Sequence, residues 1–325
     1  MEMTDAYQEA IKGTLRSPWW DQPEGTLSLT NGTPIPVDVY WVGYDGDLYG
    51  INKRTGLYEA GHPGTRLYPG GKVELSSLVG MYWLIKSSYS GAFVAVVQEN
   101  YSTSGWYTVT GKDLLDPNDI GEIPFPTRDV VIPPDGARIL VGAGRIPVYG
   151  ARVTREQFWK RMPDSYSLAP GESRTVSYTV TSGIEDSSSD SETVNDSVGA
   201  SASVGWGPFS ASVSASLSQT SSTTQQVTVS TQTSSSVSTT YDNVKGVAPV
   251  MLLFWQLTDV ITVFDANGKP LSSVISGKQP PVISGPFDVD ELRKPPETPD
   301  VATLTRARTP RLASVARPAP PIRSL

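Results

Sequence analysis

Cysteine is absent from this 325-residue chain. Disulfides, thiolate metal sites and thiol nucleophiles are thereby excluded. A single histidine, His62, leaves no pair for a metal cage, and the sequence holds no Gly-x-Ser-x-Gly, His-Glu-x-x-His or P-loop. The chain is therefore expected not to be an enzyme and to use neither cofactor nor metal. Long apolar runs are also missing: the longest, Val247–Trp255, has the length of a buried strand and falls well short of the ~20 residues of a transmembrane helix. Any action on a membrane would have to come from β-structure assembled from several chains. Helical periodicity is scarce, with Thr4–Thr14 and Thr154–Arg161 as the two short candidates. Met1–Trp20 shows no basic stretch followed by an apolar one, so release from the producing cell is expected to follow an unidentified route. The net charge of −7 argues against nucleic-acid binding.

What is abundant is glycine (29) and proline (27), which punctuate many short strands. The expected fold is mostly β, in four parts. An N-terminal arm spans 1–23 and contains Trp19-Trp20. A β-sandwich-like domain spans 24–130, with strands at Thr26–Thr30, Val37–Val42, Lys72–Leu75, Met81–Lys86 and Ala92–Gln98. An elongated module of long antiparallel strands spans 131–290. A Pro- and Arg-rich tail spans 291–325 and reads as disordered. Within the module, Gly142-Ala143-Gly144-Arg145 lacks dinucleotide or P-loop spacing and is expected to be a loop. Thr175–Thr181 and Gln225–Tyr241 are expected as long Ser/Thr-rich strands. The apolar pair Val247–Leu257 and Val260–Phe264, with Ser272–Ser276 and Val282–Ser284, is expected to make a small second sheet.

The most informative stretch lies between these long strands. From Thr175 to Val244 there is no lysine or arginine. Val198, Ala200, Ala202, Val204 and Trp206 share one parity, with Ser201, Ser203 and Gly205 on the other. After Gly207-Pro208 the pattern resumes as Phe209, Ala211, Val213, Ala215 and Leu217 against serines at 210, 212, 214, 216 and 218. Period two means strands. Nine residues on each arm match the roughly 9–11 that a tilted transmembrane strand needs. The apolar parity would face lipid and the Ser/Gly parity a wet lumen. Trp206 and Phe209 at the tip suit a membrane interface. Glu185, Asp186, Asp190, Glu192 and Asp196 could place negative charge near one mouth and favour cations.

The module, over about 165–285, resembles the pore module of the aerolysin-like β-pore-forming toxins: Pro170-Gly171 at the entry, the strand Val227–Thr240, and the amphipathic hairpin between. That resemblance implies a soluble monomer that binds a target cell membrane through an unknown receptor (protein, glycan or lipid), assembles with copies of itself, and inserts Val198–Leu217 into a β-barrel. It also implies a tail that can be cut away, with Arg306, Arg308 and Arg311 as cleavage sites. Residues 27–97 resemble the β domain of the von Hippel-Lindau family through Leu29-Thr30-Asn31-Gly32-Thr33-Pro34, Val39-Tyr40-Trp41-Val42-Gly43-Tyr44-Asp45-Gly46, Pro69-Gly70-Gly71 and Val79-Gly80-Met81-Tyr82-Trp83. That resemblance implies the β-domain fold, with Ser77 and Trp83 at two ligand-binding positions, and the aerolysin-like resemblance implies that this domain is the receptor-binding head. The competing expectation is a non-enzymatic adhesin or binding protein in which the Ser/Thr-rich region is only a β spacer.

Overall fold

The structure is a computed structural model that describes residues 3–19, 23–100, 105–110, 136–146, 150–186, 213, 216–217, 233–277, 282–283 and 287–288. A short helix, α1 (Met3–Lys12), opens the chain where helical periodicity predicted one. The strands that follow are β1 (Glu24–Asn31), β2 (Val37–Val42), β3 (Leu48–Ile51), β4 (Tyr58–Ala60), β5 (Thr65–Leu67), β6 (Lys72–Leu78), β7 (Tyr82–Ser87), β8 (Phe93–Gln98) and β9 (Gly105–Val109). β1 pairs with β6 and β9 as a three-stranded sheet. Its inward residues Leu27, Leu29, Val73 and Leu75 pack on Val37, Val39, Trp83, Ile85 and Val97 from β2, β7 and β8. Two sheets sharing one core make a sandwich. β6 shows the physics most plainly: Val73, Leu75 and Ser77 are buried while Lys72, Glu74 and Ser76 face out.

The second half consists of β10 (Ile139–Arg145), β11 (Arg152–Leu168), β12 (Ser173–Asp186), β13 (Thr233–Asp242), β14 (Val250–Phe264), β15 (Pro270–Gly277), β16 (Val282–Ile283) and β17 (Phe287–Asp288). These do not form a separate small sheet. They run on from the head in one 14-stranded sheet whose path is β13-β12-β15-β14-β11-β10-β8-β7-β2-β3-β4. The join is narrow: Ile139 of β10 pairs in parallel with Phe93 of β8.

Three expectations are corrected here. Thr154–Arg161 is strand, within β11, and not helix. Its neighbours β10 and β14 cover both edges and Val153–Trp159 is buried throughout, so the residues carry no one-faced pattern to tell the two periods apart. Val247–Leu257 and Val260–Phe264 are not two strands. β14 runs unbroken through Thr258-Asp259, because Asp259 accepts a 2.8 Å ion pair from Arg155 inside the core, both side chains being about 5% exposed or less. Gly142–Arg145 is not a loop but the end of β10, which pairs with β11 after a bulge at Leu140/Gly142. On β11 the ladder slips between Arg161 and Ser165, where Pro163 has no N–H to give. Glu156 is buried beside Ser90 and Arg138; burial pushes its carboxyl above the ordinary range, and those two partners pull the other way.

Candidate membrane-insertion module

β12 and β13 are long, rich in Ser and Thr, and paired antiparallel from Ser173↔Asp242 to Ser182↔Thr233 without a slip. Their two faces differ. Val176 and Tyr178 are buried and, with half-buried Val237 and Tyr241, pack on Leu168, Leu252 and Phe254. Phe254 is the hub of that cluster, fully buried, with ring centroids of Tyr178 at 4.5 Å, Tyr166 at 6.2 Å and Tyr241 at 6.4 Å. The other face is exposed and polar: Thr175 and Thr240 share a 2.8 Å hydroxyl hydrogen bond, as do Ser177 and Ser238. β13 lies at one end of the sheet path. At Gly183–Asp186, β12 passes from β13 to β15, pairing Gly183 with Gly277 and Asp186 with Val274.

The segment between these strands holds the expected insertion hairpin. Val198, Ala200, Ala202, Val204, Trp206, Phe209, Ala211 and Ala215 lie outside the described residues, as do Asp190, Glu192 and Asp196. Glu185 and Asp186 close β12. Val213, Ser216 and Leu217 are described, and each is at most 3% exposed. They are helical, which corrects the expectation of strand for these three in this state. The correction has a simple cause. Residues four apart share a face on a helix and also share a parity on a strand, so Val213 and Leu217 fit either period.

Their seat was missed from the sequence. Gly144 of β10 touches Ser216 so closely that a β-carbon there would lie 2.3 Å from the Ser216 carbonyl oxygen. A glycine inside a strand marks such an approach, and that signal was available. Gly144→Ala is therefore expected to push Ser216 off β10 at an overpacking cost of ~1–3 kcal/mol. Urea unfolding of the soluble protein should show the loss, and an unchanged midpoint would mean the contact is slack.

The head candidates are placed differently from expectation. Ser77 and Trp83 do meet, through a 3.1 Å hydrogen bond from the Trp83 indole N–H to the Ser77 hydroxyl. Both are buried, at 6% and 1% exposure, so they form core and not an open ligand surface. His62 sits by Glu59 at 2.9 Å on the surface. Arg306, Arg308 and Arg311 lie outside the described residues. No helix among the described residues is long and apolar enough to cross a membrane, which leaves strands unaddressed.

No family model and no curated protein matches this chain. Among solved structures, the chain is similar to Cry35Ab1 at 10% identity, with 74% of each chain covered and a TM-score of 0.35. It also matches a membrane-associated protein of unknown function from Bacteroides fragilis, at 10% identity over 79% of this chain and 99% of that one, with a TM-score of 0.15. The "Putative pore-forming toxin" of Bacteroides vulgatus matches at 10% identity over 82% of this chain and 98% of that one, with a TM-score of 0.11. All three superpose loosely. The likeness of residues 27–97 to the von Hippel-Lindau β domain finds no support in these matches.

Proposed function

We propose that this is a β-pore-forming protein whose subunits each contribute the Ser173–Asp242 region as one long hairpin to a transmembrane barrel. The observation that carries the reading is the register of β12 against β13. Continued without a slip, the ladder that pairs Ser182 with Thr233 sets Val198 opposite Leu217, Ala200 opposite Ala215, Ala202 opposite Val213 and Val204 opposite Ala211. It sets Trp206 opposite Phe209 and leaves Gly207-Pro208 as the two-residue turn. The extrapolated register and the sequence pattern thus lead to the same tip. Every apolar residue of one arm then meets an apolar residue of the other. The same parity continues through Val176, Tyr178, Val237 and Tyr241, the face that Phe254 covers in this state. A lipid-facing band needs one apolar parity on both arms, which Val198–Val204 and Ala211–Leu217 supply.

The register also revises the lumen. Asp186, Asp190, Glu192 and Asp196 share parity with Val198 and fall on the outer face, beyond the apolar band. Of these five acidic residues Glu185 alone keeps the lumen parity, which Asp242, opposite Ser173, shares at the base of the hairpin. Cation preference in this reading rests on the rings of Glu185 and Asp242 side chains. Glu185→Gln is expected to move the reversal potential in a salt gradient towards zero. An unaltered reversal potential would remove Glu185 from the lumen.

The remaining roles are part of the same proposal. The N-terminal sandwich meets the receptor, copies of the chain assemble on the target membrane, and cleavage near Arg306, Arg308 or Arg311 triggers assembly. Dye release from liposomes, with and without mild protease, tests the function. Release is the expected result. Silence across several lipid mixtures and target cells would favour the adhesin reading, in which Ser173–Asp242 is a spacer.

A further inference from the structure

A polar cavity of about 230 Å³ lies where the sandwich meets the β14–β15 turn, lined among others by Arg66, Tyr68, Ser88, Tyr89, Arg152 and Asn267. Its floor is rigid. The Tyr89 ring stacks on Phe264 at 4.3 Å, and Gly268, at φ +84°, comes so near that a β-carbon would lie 2.5 Å from the Tyr89 ring. The turn is fastened by Asp265, whose Oδ1 accepts from the backbone N–H groups of Asn267 and Lys269.

The charges in this cavity are unevenly matched. Arg66 gives Nε and Nη2 to Asp38 at 2.9 and 3.1 Å. Arg152 gives Nε to the Pro34 carbonyl at 2.8 Å and Nη1 to the Gly150 carbonyl. Both of its partners are neutral, and among the described residues no carboxylate pairs with it. The Ser88 hydroxyl is buried with no hydrogen-bond partner. Burial raises the Tyr89 phenol above its ordinary range, while the nearby Arg152 draws it down. A half-buried guanidinium held only by carbonyls, beside an unused buried hydroxyl, is the donor set for a compact anion with several acceptor oxygens.

We infer that this cavity binds a phosphate monoester group, with Arg152, Ser88 and the Nη1 of Arg66 as its donors. The site belongs to the soluble fold and does not depend on the pore reading. Its wall, the Asp265–Lys269 turn, leads directly into β15, which pairs with the end of β12 ahead of the insertion segment. An occupant would therefore touch both the sandwich and the turn that leads into β15.

The test is a titration of the full-length protein with inorganic phosphate, read by thermal shift and calorimetry, with chloride at matched ionic strength as control. A saturable rise in melting temperature with phosphate and not with chloride is expected. Arg152→Gln should weaken binding about tenfold or more, the scale of losing one charge-assisted contact. Because Arg152 also braces two carbonyls, the double variant Arg66→Gln/Ser88→Ala is run beside it. Its exposed ion pair contributes little to stability, and it too should lose phosphate affinity. No saturable shift, a shift matched by chloride, or undiminished binding by the double variant would overturn the site. Vesicles of phosphatidylcholine with and without phosphatidic acid identify the source. Retention on phosphatidic acid alone, released by phosphate, assigns a lipid headgroup. Phosphate binding with equal retention on both assigns a soluble phosphate group. None of these readouts needs a pore, so dye release and phosphate binding can fail separately.

Discussion

Ala202→Arg abolishes dye release while Ser203→Arg, one residue on, does not: that contrast is the largest effect expected of any substitution here. In the proposed hairpin, the β12–β13 ladder continued to the tip would set Ala202 opposite Val213 on the apolar parity and Ser203 opposite Ser212 on the polar one. An arginine on the lipid face of a barrel strand costs ~2–4 kcal/mol near the bilayer midplane. The cost recurs in every subunit, so even a small ring would lose the whole of its insertion free energy. On the lumen side the guanidinium stays hydrated, and the expected change is in ion preference, towards anions. A urea midpoint matching that of the unaltered protein separates failed insertion from failed folding. Equal release by the two variants would mean that parity does not choose between lipid and water.

The second large effect is expected at Phe254. Phe254→Ala removes a fully buried ring that holds Tyr166, Tyr178 and Tyr241 together, and so fastens β12 and β13 to the body of the sheet. Truncating such a ring costs ~3–5 kcal/mol in the folded protein. The loss should be local in its consequences. Amides of β12 and β13 should exchange hydrogen faster than those of β2, β7 and β8, whose core is a separate cluster. If detachment of the β12–β13 pair precedes insertion, dye release should also become faster even as the soluble form weakens. Slower release with faster exchange would mean that the tyrosine cluster persists in the pore. Uniform exchange across both halves would mean that Phe254 is an ordinary core residue.

Much of this was legible in the sequence where one face of a strand is wet. Val37–Val42 was bounded to the residue, and β6 shows the alternation that its sequence announces. Legibility failed where both faces are covered. β11 lost its period to burial and looked helical, and β14 looked like two strands because Thr258-Asp259 reads as polar punctuation when its partner Arg155 is unseen. The join of the two halves through Ile139 and Phe93 is a long-range pairing with no local signature. In the candidate module the sequence suggested the alternation and the Gly207-Pro208 tip, which lie, apart from Val213, Ser216 and Leu217, outside the described residues. It could not carry the register of β12 on β13, which needed the ladder. Nor could it show that Val213 and Leu217 are helical in this state, because their spacing satisfies both periods. Gly144 was visible but misread, as part of a loop, because its contact at Ser216 lies 72 positions away.

A chain with no cysteine allows the most direct test without any prior removal. Single cysteines at each position from 198 to 206, carrying an environment-sensitive fluorophore, are followed as liposomes are added. The expected result is a period-two pattern that arises only with membrane. Probes at Val198, Ala200, Ala202 and Val204 should move to an apolar environment and become quenched by lipid-borne quenchers, while those at Ser201, Ser203 and Gly205 stay wet. A uniform shift, or no shift on a membrane that the protein demonstrably permeabilises, would contradict insertion of this hairpin as strands.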